Sequence, residues 1–282
     1  MRKITIGMVI LSIIVIGMVI PAGFSGQVNS VVITYGETTH ANTNYKSDVD
    51  SFFKSQSNLD LSKADEKIIT ASDVNKIAST ITGRTYDSSE IFSSALVNLK
   101  DSSNLQVSVD KSKITTVTGD MYISALKSAG IKSGHVYVTS PVSATGESAL
   151  AGIMNCYEEA TNVKIPETVK EAANKEIYTQ AEVVENSNVS ADKVSKLVDD
   201  VKVTVKEKNV TDHQTIVNII NNYTVNNNIN ISNNDVENIA NSIEQTQKTQ
   251  GDINNYETQV SNILNSTGGS DAAKGFLEGL FG

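Results

Sequence analysis

Gly146-Glu147-Ser148 follows a β-branched run and precedes an apolar helical stripe, the setting of a nucleophile elbow. Residue 150 is Leu where that motif needs its second glycine, so a Ser148 nucleophile with His135 or His213 as base is a poor match. Ser124-Ala125-Leu126-Lys127 has S-x-x-K spacing but lacks companion S-D-N and K-T-G motifs. Asp120 and Glu147 could form a carboxylate pair for glycan hydrolysis, yet both fit better as first-turn charges at helix N-termini. The three histidines, His40, His135 and His213, stand far apart without an H-E-x-x-H pair, so no zinc or other metal site is expected. Cys156 is the sole cysteine and reads as a small core residue; no intrachain disulfide can form. With no Gly-rich phosphate loop either, no cofactor and no catalytic residue is assigned.

One stretch keeps some chemical interest. From Pro141 to Ser148 a strand ends, Ser143 and Thr145 surround Gly146, and a helix begins. Free N–H groups at such a helix start can hold an anion, so Ser143, Thr145, Gly146 and Ser148 form the candidate ligand site. The plainer reading is that Ser143 or Thr145 caps the helix. Five N-x-[S/T] sites, at Asn188, Asn209, Asn222, Asn230 and Asn265, are candidates for N-glycosylation, against a background rich in Asn, Ser and Thr.

The elements around that stretch are legible. Ile114 to Val117 suits a short strand, Thr118 an N-cap with Asp120 in the first turn. Met121, Tyr122, Ala125, Leu126 and Ala129 give a helical stripe that Gly130 ends. His135 to Thr139 is the next strand, stopped near Pro141, and Leu150, Ile153, Met154 and Tyr157 mark the following helix. Upstream, Val31 to Tyr35 is the first strand. Helices follow through Val49, Phe52 and Phe53, and through Val74, Ile77 and Ala78 behind a Ser72 cap. Ser88–Lys100 and Leu105–Val109, joined by Asp101-Ser102-Ser103-Asn104, read as a hairpin. The order β, α, α, β, β, α, β implies an α+β fold with a small, mostly antiparallel sheet, close to the ferredoxin-like split βαβ plan. An all-helical extension then begins at Pro166, with later caps at Ser190, Thr211 and Ser232 and a break near Gly251. Asn221 to Asn234 is an Asn-heavy tract of low complexity.

The stretch ITTVTGDMYISALKSAGIKSGHVYVTSPVSATGESALAGIMNCYEEATN resembles the core of the YpuA-like family of exported proteins. That domain family, of unknown function, occurs in Gram-positive bacteria and methanogenic archaea. The matching pattern is I-T-x-V-T-x-x-M-Y-x-x-A-L-x-x-A-G-[IV], a strand ending in Pro, then S-x-T-x-x-x-A-L-x-G-I. The resemblance runs from about Val31 to about Ile243 and implies export and a fold, with no catalytic residue to carry over.

At the N-terminus Arg2-Lys3 precedes a seventeen-residue apolar run, Ile4 to Ile20, followed by small residues at Pro21-Ala22-Gly23 and Ser25-Gly26. This reads as a signal peptide or an N-terminal membrane anchor, with cleavage favoured because the small residues follow directly. The expected organisation is therefore a targeting segment (1–26), an α+β domain (27–162), a helical extension (163–266) and a flexible tail (267–282). That tail carries Phe276, Leu277, Leu280 and Phe281 as an apolar patch. A formal charge of −9 without a basic cluster argues against nucleic acid and against electrostatic binding to anionic lipid. Membrane contact is expected only through the N-terminal segment. The sequence leads to an extracellular or cell-surface, non-catalytic binding or scaffolding protein whose partner is an envelope protein or wall polymer. The rival is a cell-wall-directed hydrolase or small-anion sensor using the Ser143–Ser148 turn.

Overall fold

The computed structural model describes residues 31–81, 83–99 and 104–266, with side chains only to residue 262. The targeting segment, most of the Asp101–Asn104 link and the tail with its apolar patch lie outside the described residues. The chain runs β1 (Val31–Gly36), α1 (Glu37–Ala41), α2 (Thr43–Ser57), β2 (Asp65–Ile69), α3 (Ala71–Ile81), β3 (Ser94–Asn98) and β4 (Leu105–Val109). It continues through α4 (Gly119–Ser128), β5 (Gly134–Thr139), α5 (Ala149–Thr161), α6 (Glu167–Asn186), α7 (Ala191–Glu207), α8 (His213–Asn226), α9 (Asn233–Lys248) and α10 (Gln250–Ser266). The α+β class with a helical extension is as the sequence implies.

The sheet topology differs from the expected plan. Strand order is β2-β1-β3-β5-β4, with β1–β2 and β4–β5 parallel and β3 antiparallel to both of its neighbours. The sheet is mixed rather than mostly antiparallel, and the expected hairpin does not form because β5 lies between β3 and β4. Two βαβ units, one crossing over through α1 and α2 and one through α4, flank β3 and replace the split plan. The physical reason lies in the burial of β3. All five residues of SALVN are buried, so this strand needs a partner on each side. Ile114 to Val117 is not a strand; it makes one parallel bridge, Ile114 to Ala144, and straps the turn that follows β5.

Alternation along the strands sorts two layers. Ile33, Tyr35, Leu96 and Tyr137 pack with Val49 and Phe53 of α2 on one face. Val32, Ala95, Val97, Val136 and Val138 face α4 and α5 on the other. Gly152 allows α5 to approach closely, since a Cβ there would lie 2.6 Å from Thr34 Oγ1. The core continues without interruption from Val32 through Leu150 and Ile177 to Ile239 and Val260. Central to it is α6, which packs against α4, α7 and α9.

Several helix ends follow capping chemistry, although Ser190, at the N-cap of α7 as expected, makes no side-chain capping hydrogen bond. Thr118 accepts from Met121 N, and Ser232 with Asp235 completes a capping box, both as expected. Thr70 and Asp73, rather than Ser72, cap α3 reciprocally. Asp212, not Thr211, caps α8. Asn58, Asn162, Asn209 and Asn228 stand just past helix ends at φ of 51° to 56°, the left-handed conformation that Asn tolerates best after Gly. Part of the Asn-heavy tract is therefore helix, with α8 running to Asn226 before the Asn228 turn.

Candidate functional site

The turn after β5 is built by the strap beneath it. Thr115 N donates to Ala144 O at 2.9 Å and Val117 N to Thr145 O at 3.0 Å, while Lys113 Nζ reaches Pro141 O at 3.0 Å. Ser143 and Thr145 face solvent, Ser148 is half-buried, and Gly146 and Glu147 turn inward. The hydroxyls therefore do not share one face. Ser148 occupies the N-cap position of α5 without a capping hydrogen bond. Ala149 N and Leu150 N are used inside the turn, by Gly146 O and Glu147 O. Neither Ser143 nor Thr145 caps the helix.

Gly146 has φ +111°, and Tyr122 Oη donates to its carbonyl at 2.5 Å. A Cβ at this position would sit 2.7 Å from Ile114 Cγ2 and 3.0 Å from Tyr122 Oη. Its neighbour Glu147 is the chemical surprise. Asp120 stays exposed at the start of α4, but Glu147 is only 4% exposed. Burial pushes its carboxyl above the ordinary glutamate range, and Glu185 adds to the shift. A hydroxyl bond from Thr145 and the Arg84 guanidinium oppose it. Tyr86 and Tyr178 pair with each other nearby, and the Arg84–Glu185 ion pair (3.9 Å) stands at the solvent side. A carboxyl so placed favours its neutral form. Nothing local in the sequence announces it, because the residues that bury Glu147 come from distant segments.

The histidines do not reach Ser148. His135 on β5 shares its ring nitrogens with Ser108 Oγ and Tyr137 Oη, each at 3.0 Å. His213 lies between Glu244 (Nδ1, 2.7 Å) and Glu237 (Nε2, 2.7 Å) of α9. Only the imidazolium has a hydrogen on each nitrogen for two carboxylates. The Glu237 bond, followed by that of Glu244, raises the His213 pKa against the opposing effect of burial. A raised folded pKa gives stability that is full below the unfolded value and lost as pH rises through the folded one. Because the site is exposed, the expected contribution is at most about 0.5 kcal/mol. Urea midpoints at pH 5 and pH 9 should show His213→Gln erasing that increment at pH 5 alone.

The S-x-x-K reading finds a different lysine. Lys127 is exposed, while Lys202 of α7 donates to Ser124 Oγ at 3.0 Å and Ser128 Oγ at 2.7 Å. It also meets both oxygens of Glu176 at 2.8 and 3.0 Å. A serine nucleophile needs a neutral amine as base. Lys202 is instead ion-paired with Glu176 at 2.8 Å, so this cluster acts as a three-helix joint. Cys156 is fully buried against Val32 O and Thr34 Oγ1, and burial pushes its thiol up to about 12, leaving it unreactive at neutral pH. Among the described residues no group of three or more His, Cys, Asp or Glu is placed to hold a metal ion. Nor is any described helix long and apolar enough to cross a membrane.

An open recess with polar lining lies elsewhere, between the α6–α7 and α8–α9 turns. This open groove of about 900 Å³ is lined by Asn186, Ser187, Asn188, Asn228, Asn230 and Ser232, with Glu185, Lys193 and Asp235 as its charged groups. Amides and hydroxyls dominate it. Of the sequon asparagines, Asn188, Asn209, Asn222 and Asn230 are exposed, and Asn265 falls where only the backbone is described. From the sequence Asn188 and Asn230 are sequons and Ser232 a helix cap; their convergence in one groove depends on how α6 to α9 pack.

Comparison with known proteins adds kinship without activity. The model of the family described as "Protein of unknown function (DUF1002)" matches residues 35–263. The chain is 29% identical over 199 residues to the "Uncharacterized protein YpuA" of Bacillus subtilis (strain 168), covering 68% of this chain. It spans 64% of that relative's length. No solved structure matches.

Proposed function

Because the chain belongs to the DUF1002 family, whose match takes in sheet and helical bundle alike and brings no assigned activity, we propose an exported, non-catalytic binding protein of the cell surface. Its ligand is a polar wall polymer held in the groove between the α6–α7 and α8–α9 turns. That groove is the observation that carries the reading. Its amide and hydroxyl lining can trade hydrogen bonds with a polyhydroxylated or amide-bearing chain, and it is open to solvent rather than a closed pocket. Export rests on the N-terminal sequence, where two basic residues precede a long apolar run and small residues follow.

The test is co-sedimentation of the exported full chain with insoluble wall polymer from its own cells. Replacing Asn186, Asn188 and Asn230 together by Ala should weaken retention at least about tenfold, the loss of a few hydrogen bonds. The thermal midpoint should stay within about 1 °C, since all three are exposed. Unchanged retention, or capture of an envelope protein in place of polymer, overturns the reading.

A second reading has one observation in its favour. Glu147, with its raised pKa, could act as a general acid in a wall-directed hydrolase. Release of soluble wall fragments that stops in Glu147→Gln, with the fold intact, would establish it. A thermal shift with one member of an anion panel, lost when Ser143, Thr145 and Ser148 are all Ala, would instead mark a sensor.

A further inference from the structure

Ser124 and Ser128, one turn apart on α4, both point at Glu176 of α6, which is 1% exposed. Each hydroxyl takes a different carboxylate oxygen, at 2.6 Å in both cases. Lys202 of α7 lies across the two oxygens and neutralises the buried charge. One further contact does not balance. An oxygen of Asp199, less than one turn before Lys202, also lies within hydrogen-bonding distance of Ser124 Oγ. A serine hydroxyl has one hydrogen. It can serve Glu176 or Asp199, not both, so two ionised carboxylates on this oxygen are one hydrogen short. Lys202 cannot make up the deficit, because its hydrogens already go to Glu176 and the serines.

We propose that Asp199 carries the missing hydrogen and donates it to Ser124 Oγ, so that a proton latches α7 onto α4 and α6. The inference is independent of the proposed function and rests on counting hydrogens. Every charged group around Asp199 has a place in it. Lys127 on α4 and Lys202 on its own helix favour ionisation, while Glu176 on α6 opposes it. Burial, the largest influence, pushes the Asp199 carboxyl above the ordinary aspartate range against the opposing pull of the Ser124 contact. The adjacent Asp200 is turned away, to Lys196 and to Tyr223 of α8. Asp199 is itself half-buried, so on losing its proton it can swing towards water. The latch is therefore complete in acid and released as pH rises through the folded pKa of Asp199, the sign expected for a raised value. Near the latch the seam remains polar. Gln180 on α6 and Ser195 on α7, each one turn from Glu176 and Asp199 respectively, are buried without a hydrogen-bond partner among the described residues. Release would let water reach them.

The decisive variant is Asp199→Asn, whose amide supplies the same hydrogen at every pH. Thermal midpoints of wild type and variant should coincide near pH 4. At pH 8 the variant should melt about 2–4 °C higher, the shift that roughly one hydrogen bond produces in a chain of this size. Amide exchange along α7, corrected for intrinsic pH dependence, should slow several-fold in the variant at pH 8 only. Equal midpoints at pH 8, or a lower one for Asp199→Asn, overturn the latch. A direct measurement guards against an unforeseen folding defect. The carboxyl carbon of Asp199 in the wild-type chain should titrate above the ordinary aspartate value, and a midpoint at or below it ends the proposal.

Discussion

Lys202→Met should cost about 3–5 kcal/mol of unfolding free energy, the penalty for leaving a buried carboxylate without its cation. Glu176 is 1% exposed, and the methionine keeps the bulk of the lysine stem while removing the ammonium. Ser124 and Ser128 would still donate to the carboxylate, but two neutral hydroxyls do not cancel a full charge in a site of low dielectric. The urea midpoint reads the loss, with the slope unchanged if the native state stays compact. The double variant Glu176→Gln with Lys202→Met should recover all but about 1 kcal/mol, since a neutral amide can satisfy the serines with no charge left to bury. Lys196→Met serves as a control. Lys196 pairs with Asp200 at 2.8 Å, but the lysine is 69% exposed, and its removal should change stability by less than about 1 kcal/mol. If Lys202→Met behaves like the control, Glu176 is not bound to the fold by that charge.

That cluster also shows where reading the sequence stops. Ser124 and Lys127 have the spacing of a catalytic pair, yet the lysine that arrives stands 78 positions away. Periodicity ranked Ser124 as a helical residue but could not say which helices would converge on it. Where structure is set locally, the reading held. The stripe Met121, Tyr122, Ala125, Leu126 and Ala129 is buried along α4 and its C-cap, and Ser232 with Asp235 caps α9. The bundle was legible because 3.6-residue periodicity and caps act within a turn or two.

The sheet was harder because strand partners are chosen at long range. Asp65–Ile69 carries three charges in five residues and exposes most of them, so it lacks the alternation that marks a strand. It forms only as an edge, where β1 supplies the ladder and charges at the rim discourage further pairing. The Asp-Ser-Ser-Asn link signalled a turn, and turn chemistry favours a hairpin. β5 intervenes because β3 needs an apolar neighbour on each side, and Val136 and Val138 supply one. Glu147 follows the same logic. Its sequence position says first turn of a helix, but it is buried beside Tyr86, Tyr122 and Tyr178, which come from three other segments.

Gly146→Ala should be the most damaging single substitution in that turn, at about 3–5 kcal/mol. Placing an L side chain at φ +111° costs about 1–3 kcal/mol. The new methyl group must also displace Ile114 Cγ2, 2.7 Å away in a packed core, and crowd Tyr122 Oη at 3.0 Å. If the Tyr122 hydroxyl loses the Gly146 carbonyl, a buried group is left without its bond, about another 1 kcal/mol. Ser143→Ala, three residues earlier on the exposed side of the same turn, should stay within about 0.5 kcal/mol of wild type. Urea unfolding of the two variants separates the roles of this segment. A large loss at Gly146 with none at Ser143 makes the glycine a packing requirement of the strap. Near-equal, small losses would mean that the turn is loosely held and that its glycine is free to serve a ligand.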